Sequence, residues 1–172
     1  NVPIIGINLG RLGFLANINR NQIVQSFELL QENKYSIQER SLLCVETERR
    51  LFAHENFALN EVTLQRKNTA SMIAIYTELD GEYLNTYWAD GLIISSPSGS
   101  TAYNLSCGGP IIHPENKSFV VTAIAPHNLN VRPFVISDDS VLDLKVKSRV
   151  GEFFLSMDAR NKPLSSTVHL QI

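Results

Sequence analysis

The chain has 172 residues, of which 44% are hydrophobic and 19% charged, a balance typical of a globular protein rather than a disordered or membrane one. Its formal net charge of -2 comes from interspersed acids and bases, and the sequence holds no Lys/Arg run that would neutralise a nucleic-acid backbone. Because no apolar run approaches the roughly 20 residues that cross a bilayer, we expect a soluble, cytoplasmic protein with no nucleic-acid or membrane partner.

The N-terminal segment predicts one α/β unit. Residues 3–8, "PIIGIN", form an apolar strand pattern, and the glycines of "LGRLGF" at 9–14 favour a loop. The residues that follow predict a helix over about 20–33, and Asn19 with Gln22 resembles a capping box at its start. The apolar face of this predicted helix consists of Ile23, Phe27 and Leu30.

From residue 36 onward the chain reads as β structure, because apolar residues alternate at a period of two over strand lengths. Asp80 and Gly81, between two such runs, are typical of a type I′ hairpin turn. Within 142–147, "LDLKVK", alternate side chains would face a core and water, as in the strands of an antiparallel sandwich. We therefore predict a mainly β fold, with a strand-loop-helix piece at residues 1–35 and a β domain at 36–172.

The stretch 89–110, "ADGLIISSPSGSTAYNLSCGGP", places many hydroxyls directly after a buried strand predicted at 91–96. Thr101 is placed to N-cap a short helix over 101–107, which Gly108 would end. At such a helix start, free backbone N–H groups and hydroxyls can bind a phosphate, a carboxylate or a purine edge. The open alternative is a tight connection that needs small residues only in order to turn.

Four further side chains suit a nucleotide. The carboxamide of Asn60 can pair with an adenine edge, and the neighbouring carboxylate of Glu61 suits the two hydroxyls of a ribose. Tyr103 offers a flat face with a phenol group, and Asp90 precedes the buried strand. Each also has an ordinary interpretation, since Glu61 can face solvent by alternation and Asp90 can be a turn residue.

Taken together, four motifs resemble the bacterial NAD kinase family in order and spacing. They are "GINLGRLGFL" at 6–15, "LNEV" at 59–62, "ADGLIISSPSGSTAYNLSCGGPII" at 89–112 and "APHNLNVRPFVI" at 125–136. The resemblance implies transfer of the γ-phosphoryl group of ATP, with Mg²⁺, to the 2′-hydroxyl of the adenosine ribose of NAD, which gives NADP. It also implies an N-terminal α/β domain followed by a C-terminal β-sandwich domain that binds NAD, in a homodimer or homotetramer.

The resemblance assigns NAD contacts residue by residue. Adenine recognition would fall to Asn60, Thr101, Tyr103 and Ser106, whereas Asp90 and Ala125 would lie nearer the nicotinamide, reaching it from a neighbouring subunit. The complete set of implied NAD-binding residues is Asn60, Glu61, Asp90, Thr101, Ala102, Tyr103, Asn104, Leu105, Ser106 and Ala125.

The sequence departs from the family pattern in two ways. Ser71 and Trp88 stand where the family often has basic or polar side chains, and Asp158-Ala159-Arg160 stands where it usually has Asp-Gly-Gln. In addition, nothing matches the family's Gly-Gly-Asp-Gly-Thr motif, whose Asp is its general base, so no catalytic or metal-binding residue is assigned here. We therefore expect a fragment that lacks this N-terminal part and the C-terminal end, binds NAD or NADP, and has little or no kinase activity by itself.

Three alternatives stay open at this point. The first is a β-sandwich module that binds a nucleotide or assembles without chemistry, and the second is a lipid kinase of the same architecture with an apolar acceptor pocket. The third is a serine hydrolase that uses Ser98 or Ser100 with His113 or His127, which the lack of a G-x-S-x-G motif disfavours. Cys44 and Cys107 lack the spacing of a zinc site, so we expect reduced, half-buried thiols.

Overall fold

The computed structural model describes residues 3–10, 16, 18–48, 52 and 55–172. The chain divides into two compact units, residues 1–39 and 40–172, whereas the sequence pattern changed near residues 33–36. Among the residues described, no helix has both the length and the apolar character needed to span a bilayer.

The first unit contains a short parallel strand pair and one helix. Strand β1 (Ile7–Asn8) pairs in parallel with β2 (Ile18–Asn19), so the predicted strand at 3–8 is regular only at its end. A 3-10 turn then leads into helix α1 (Ile23–Gln31), which is shorter than the predicted 20–33. The predicted capping box is present, with the Asn19 N–H donating to Gln22 Oε1 at 3.0 Å. The predicted glycine loop falls mostly on residues 11–15, outside the described residues.

The second unit is built mainly from antiparallel strands, which follow one another closely along the chain. Its elements are β3 (Leu43–Cys44), β4 (Glu46–Thr47), β5 (Phe57–Ala58), β6 (Glu61–Arg66), β7 (Ile73–Leu79), β8 (Glu82–Ala89), β9 (Gly91–Ser95), α2 (Tyr103–Ser106), β10 (Ser118–Ile124), β11 (Phe134–Ser137), β12 (Leu142–Lys147), β13 (Glu152–Met157), β14 (Arg160–Ser165) and β15 (His169–Gln171).

These strands form two main sheets. One has six strands in the order β11-β10-β9-β6-β13-β14, and the other has five in the order β4-β15-β12-β7-β8. A small third pair joins β3 to β5. Apolar side chains of both main sheets share one buried cluster, which is the core of a sandwich. The predicted mainly β fold with a sandwich domain is confirmed.

The alternation along β12 shows why this sequence forms a sandwich. Leu142, Leu144 and Val146 are at most 5% exposed, whereas Lys145 and Lys147 are exposed on the opposite face. Each such buried aliphatic side chain contributes roughly 1.5–3 kcal/mol to folding. A shift of the register by one residue would bury the lysines, so the pattern fixes the pairing of β12 with its neighbours.

The β7–β8 hairpin has the turn that its sequence predicts. Asp80 and Gly81 have φ angles of 52° and 83°, the left-handed conformation that both central residues of a type I′ turn require. The Asp80 carboxylate also accepts a hydrogen bond from the N–H of Val141 at 2.8 Å, which links the turn to the chain before β12.

Candidate functional site

The hydroxyl-rich segment after β9 forms two successive turns. A 3-10 helix covers Ser98–Thr101 and is followed by the single α-helical turn of α2. The prediction that Thr101 caps a continuous helix over 101–107 is wrong. Ala102 occupies the N-cap position with φ -97° and ψ -128°, which breaks the helical path, and no described side chain caps α2. Gly108, with φ +81°, ends the helix as predicted.

Asn104 holds this segment together from within. Its side chain is fully buried, and its amide Nδ2 donates to the carbonyls of Ser100 and Pro110, both at 3.2 Å. Its Oδ1 accepts a hydrogen bond of 2.7 Å from Thr122 Oγ1 on β10. Because a buried amide is costly to leave unpaired, this network fixes the loop against the six-stranded sheet.

The other loop residues differ in how far they reach the surface. Tyr103 is 37% and Leu105 45% exposed, and Ser106 is exposed as well. Thr101 and Ala102 are half-buried. The loop therefore presents a phenol, an aliphatic group and a hydroxyl on one short helical turn.

The structure brings Asn60 and Glu61 directly against this loop. The N–H of Ser96 donates to the Asn60 carbonyl at 2.8 Å, and Glu61 is the cross-strand partner of Ser95. A Cβ atom on Gly99 would lie only 2.1 Å from the Asn60 carbonyl oxygen, so this approach requires glycine. The two candidate motifs, far apart in sequence, thus share one corner of the sheet.

Glu61 carries an unusual carboxylate. Its Oε2 atom is buried and has no hydrogen-bond partner among the described residues. Burial, and then the nearby charge of Asp158, raise the pKa of Glu61 above its ordinary value. A buried acceptor without a donor is unfavourable by about 1–3 kcal/mol, so the site is suited to a ligand that brings hydroxyl or N–H donors.

Tyr103 reaches from α2 across the face of β6. Its phenol oxygen accepts a hydrogen bond of 3.2 Å from Gln65 Nε2, and burial raises the pKa of Tyr103 so that the phenol stays protonated at neutral pH. Gln65 is paired with Gly91 at the start of β9. The ring therefore extends the site from Glu61 toward the other end of β6.

Asp90 and Ala125 lie at that other end. The N–H of Asp90 donates to the Ile124 carbonyl at 2.9 Å, next to Ala125, whose φ is +45°. The Asp90 carboxylate lies 2.8 Å from Arg66 Nη2. The five residues of β9 separate this end from Glu61 by roughly 16 Å, so the predicted residues form two groups within the unit rather than one cluster.

Two residues to which the sequence assigned no role in the site, Asp158 and Arg160, organise it. The Asp158 carboxylate accepts hydrogen bonds from the N–H groups of Leu59 and Asn60 at 2.9 and 2.8 Å. Arg160 Nη1 donates to the Glu55 carbonyl at 2.7 Å, and its Nη2 donates to the Phe57 carbonyl. The sequence offered an Asp between two strand patterns, which is ordinary turn chemistry, and the place of Asp158-Ala159-Arg160 where the resembling family usually has Asp-Gly-Gln, which assigned neither residue a contact.

The remaining candidate positions, Trp88, Ser71 and Ser100, lie in an edge strand, a connection between strands and the loop after β9. Trp88 is 57% exposed on the edge strand β8, and its carbonyl accepts a hydrogen bond from the His127 N–H at 2.8 Å. Ser71 is half-buried in the connection between β6 and β7. The Ser100 hydroxyl donates to the Pro97 carbonyl at 2.7 Å and accepts from the Ile112 N–H at 3.0 Å, so it is committed to the loop.

Neither cysteine nor histidine organises a second centre within the described ranges. Cys44 is exposed, unlike the half-buried thiol expected, and Cys107 is half-buried; both are free thiols. Burial raises the pKa of each, which disfavours the reactive thiolate. Within 3–10, 16, 18–48, 52 and 55–172, no three His, Cys, Asp or Glu side chains come together as a metal site.

Comparison with known proteins gives a consistent result. An NAD kinase of Christiangramia forsetii is 52% identical over 175 aligned residues that include 99% of this chain, and the chain spans 59% of that relative's length. The yeast NADH kinase, solved with NADH, superposes with a TM-score of 0.86 at 27% identity, over 98% of this chain and 50% of that one. An Archaeoglobus fulgidus NAD kinase, solved with ATP, has a TM-score of 0.80 at 25% identity, over 98% and 64%.

A sequence family matches the part of the chain that contains the site. Residues 59–167 match the ATP-NAD kinase C-terminal domain, a span that begins at Leu59 and extends past β14. It contains Asn60, Glu61 and the whole loop from Ser96 to Gly108. The chain therefore belongs to the ATP-NAD kinase family.

Proposed function

We propose that the complete protein is an NAD kinase, which transfers the γ-phosphoryl group of ATP to the 2′-hydroxyl of the adenosine ribose of NAD. The observation that carries this proposal is the Asn60-Glu61 pair beside the loop of α2, with Glu61 Oε2 buried and without a donor among the described residues. A ribose diol supplies two donors of the right kind. The similarity to NAD kinases over nearly the whole chain supports the same activity.

We assign the adenosine half of NAD to this corner. Asn60 would recognise the adenine edge and Glu61 the ribose hydroxyls, while Thr101, Tyr103 and Ser106 would line the base. Exposed Tyr103 offers a ring face for stacking, which every purine accepts. Ala102, Leu105 and Asn104 complete the segment, the last by supporting its backbone.

The second group, Asp90 and Ala125, is proposed to bind the nicotinamide end of a dinucleotide held by a neighbouring subunit. A homodimer or homotetramer follows from that assignment. Supporting it, Leu129 is 84%, Phe134 44% and Val135 48% exposed, apolar surface that a subunit contact would cover. Light scattering of the purified protein would measure the oligomeric state directly.

The phosphoryl donor is proposed to be ATP with Mg²⁺. The described residues do not fit a metal site, because no three potential ligands cluster among them. They also include no match to the family's general base, so the roles proposed for this chain are binding and orientation of NAD. The ATP complex of the A. fulgidus protein supports ATP as the donor.

We also propose that residues 1–35 are the end of an N-terminal α/β domain and that residues 36–172 are the NAD-binding domain. The parallel pairing of β1 with β2 supports the first assignment, because parallel strands are typical of α/β sheets. The proposed compartment is the cytoplasm, where ATP and NAD are both available.

The test is an assay of the complete protein with NAD, ATP and Mg²⁺ that follows NADP formation. Glu61→Gln should reduce turnover of NAD by at least about tenfold, because the ribose loses a charged acceptor. Glu82→Gln, at an exposed position at the start of β8, is the matched control and should leave the rate unchanged. Phosphorylation of diacylglycerol but not NAD would favour the lipid kinase instead.

A further inference from the structure

We propose that Asp158 is a positioning residue of the nucleotide site: its carboxylate holds the backbone of residues 59–61 so that the Asn60 and Glu61 side chains face the dinucleotide. This inference rests on the proposed NAD kinase function. It concerns a residue in the turn between β13 and β14, which contributes through its contacts with the chain.

The contacts of Asp158 are concentrated on three consecutive backbone amides. Its Oδ2 accepts from the N–H of Leu59 at 2.9 Å, and its Oδ1 accepts from those of Asn60 and Glu61 at 2.8 and 3.3 Å. Its own N–H donates to the Glu61 carbonyl at 3.0 Å. Hydrogen bonds to an ionised carboxylate are roughly twice as strong as neutral ones, so this one residue immobilises the segment.

The opposite side of the same segment is held by Ser96. Its N–H donates to the Asn60 carbonyl at 2.8 Å, and its Oγ donates to the Leu59 carbonyl at 2.5 Å. The three N–H groups are therefore bonded to Asp158, and the carbonyls of Leu59 and Asn60 to Ser96. With the backbone satisfied on both sides, the side chains of Asn60 and Glu61 are the groups left for a ligand.

Arg160 extends this anchorage toward the N-terminus of the segment. Its guanidinium donates to the carbonyls of Glu55 and Phe57 and lies over the Phe57 ring, 5.7 Å from the centroid. Asp158 binds N–H groups and Arg160 binds carbonyl groups, so the two charges have distinct targets along residues 55–61. The turn between β13 and β14 thus fixes the backbone of residues 55–61, which leads into the site.

Asp158 also acts on the charge of Glu61. Across the sheet, Glu61 faces the uncharged Ser95, and in the adjoining turn the guanidinium of Arg160 is engaged by carbonyl groups. Burial raises the pKa of Glu61 most, and the negative charge of Asp158 raises it further. Removing that negative charge should therefore lower the pKa of Glu61 while it loosens the backbone, two effects that a purely structural residue would not combine.

The test compares Asp158→Asn with Asp80→Asn in the complete protein. Both positions have φ of 52° and both carboxylates accept backbone hydrogen bonds, but Asp80 lies in the β7–β8 turn outside the proposed site. Asparagine tolerates this conformation, so the fold is kept in both variants. NAD affinity is measured by calorimetry from pH 4 to pH 8, and amide hydrogen exchange is measured without ligand.

Asp158→Asn should weaken NAD binding by about tenfold, as expected for losing charge-assisted hydrogen bonds, and should move the loss of affinity at acid pH to lower pH. It should also accelerate exchange of the amides of residues 59–61, whereas Asp80→Asn should change neither property more than about twofold. Unchanged exchange at 59–61 would overturn the proposal, and so would faster exchange with unchanged affinity. If the parent binds neither NAD nor NADP, the proposed function fails, while the exchange result still decides whether Asp158 holds the segment.

Discussion

Arg66 and Asp90 are joined twice, through side chains and through backbone. Arg66 Nη2 lies 2.8 Å from Asp90 Oδ2, and the Arg66 N–H donates to the Asp90 carbonyl at 2.9 Å. The two side chains are 27% and 30% exposed. The pair formed by Lys67, just after β6, and Glu152 is separated by 2.6 Å, and its side chains are 40% and 48% exposed. The first pair is therefore less screened by water and salt.

We expect Arg66→Met to destabilise the protein by about 1–2 kcal/mol, because it leaves the partly buried Asp90 carboxylate without its cation. Lys67→Met is the matched control and should cost no more than about 0.5 kcal/mol, as is usual for an exposed pair. Urea unfolding of both variants measures the difference. Equal losses in the two variants would show that burial does not distinguish the pairs.

Asn104→Ala should destabilise the protein by about 2–4 kcal/mol, because it removes the three hydrogen bonds of a fully buried side chain and leaves their partners unsatisfied. It should also abolish measurable NADP binding, since α2 loses its attachment to β10. Asn116→Ala, at an exposed position, should stay within about 0.5 kcal/mol of the parent. A stable Asn104→Ala protein with normal binding would contradict the supporting role of this amide.

Glu61→Gln should stabilise the ligand-free protein at neutral pH, although it impairs the site. Folding raises the pKa of Glu61, so the folded protein penalises the charged form above the ordinary value of 4.5. The parent has its full stability below that value and loses part of it as the pH rises through the raised pKa. The advantage of Gln should therefore be absent near pH 4 and present at pH 7.

Urea unfolding at both pH values measures this dependence. Glu82→Gln serves as the control, because its exposed position at the start of β8 should give no gain at either pH. A Glu61→Gln variant less stable than the parent at pH 7 would mean that the ligand-free carboxylate has a favourable partner.

Gly99→Ala should displace the loop after β9, because the new Cβ would lie 2.1 Å from the Asn60 carbonyl oxygen, a backbone atom that cannot rotate away. Overpacking of this kind costs about 1–3 kcal/mol, and we expect NADP affinity to fall with it. Gly10→Ala, whose new Cβ would meet no heavy atom of the described residues within 4 Å beyond its chain neighbours, is the stability control. Thermal unfolding measures the change in stability, and calorimetry measures NADP affinity. An unchanged affinity would show that the loop after β9 does not contribute to NADP binding.

The parts of the fold that the sequence predicted are those with local causes. The alternation in β12 and the turn at Asp80 and Gly81 depend on neighbouring residues alone, and both have the expected form. The predicted cap at Thr101 was wrong because that part of the fold depends on a contact distant in sequence. A short polar segment can form a 3-10 or an α turn at similar cost, and the contact of Gly99 with Asn60, 39 positions earlier in the chain, favours one of them.

The candidate site shows the same limit. Asn60, Glu61 and the α2 loop were selected on residue chemistry and resemblance, but neither indicated that β6 and β9 would bring them together. The role of Asp158 was beyond prediction, because its partners lie 97 to 99 residues earlier in the chain. Hydrogen bonds of that sequence separation leave no periodic trace in either segment.

The left-handed conformation of Asp158 restricts which residues natural variation can place there. Its φ of 52° favours Gly, Asn or Asp, while its backbone partners require a side-chain acceptor of short reach. Glycine would keep the turn and lose the anchor, and glutamate would keep a carboxylate and strain the turn. The backbone conformation and the hydrogen bonds thus restrict the same position independently. Among related proteins, residue 158 should therefore vary only between aspartate and asparagine.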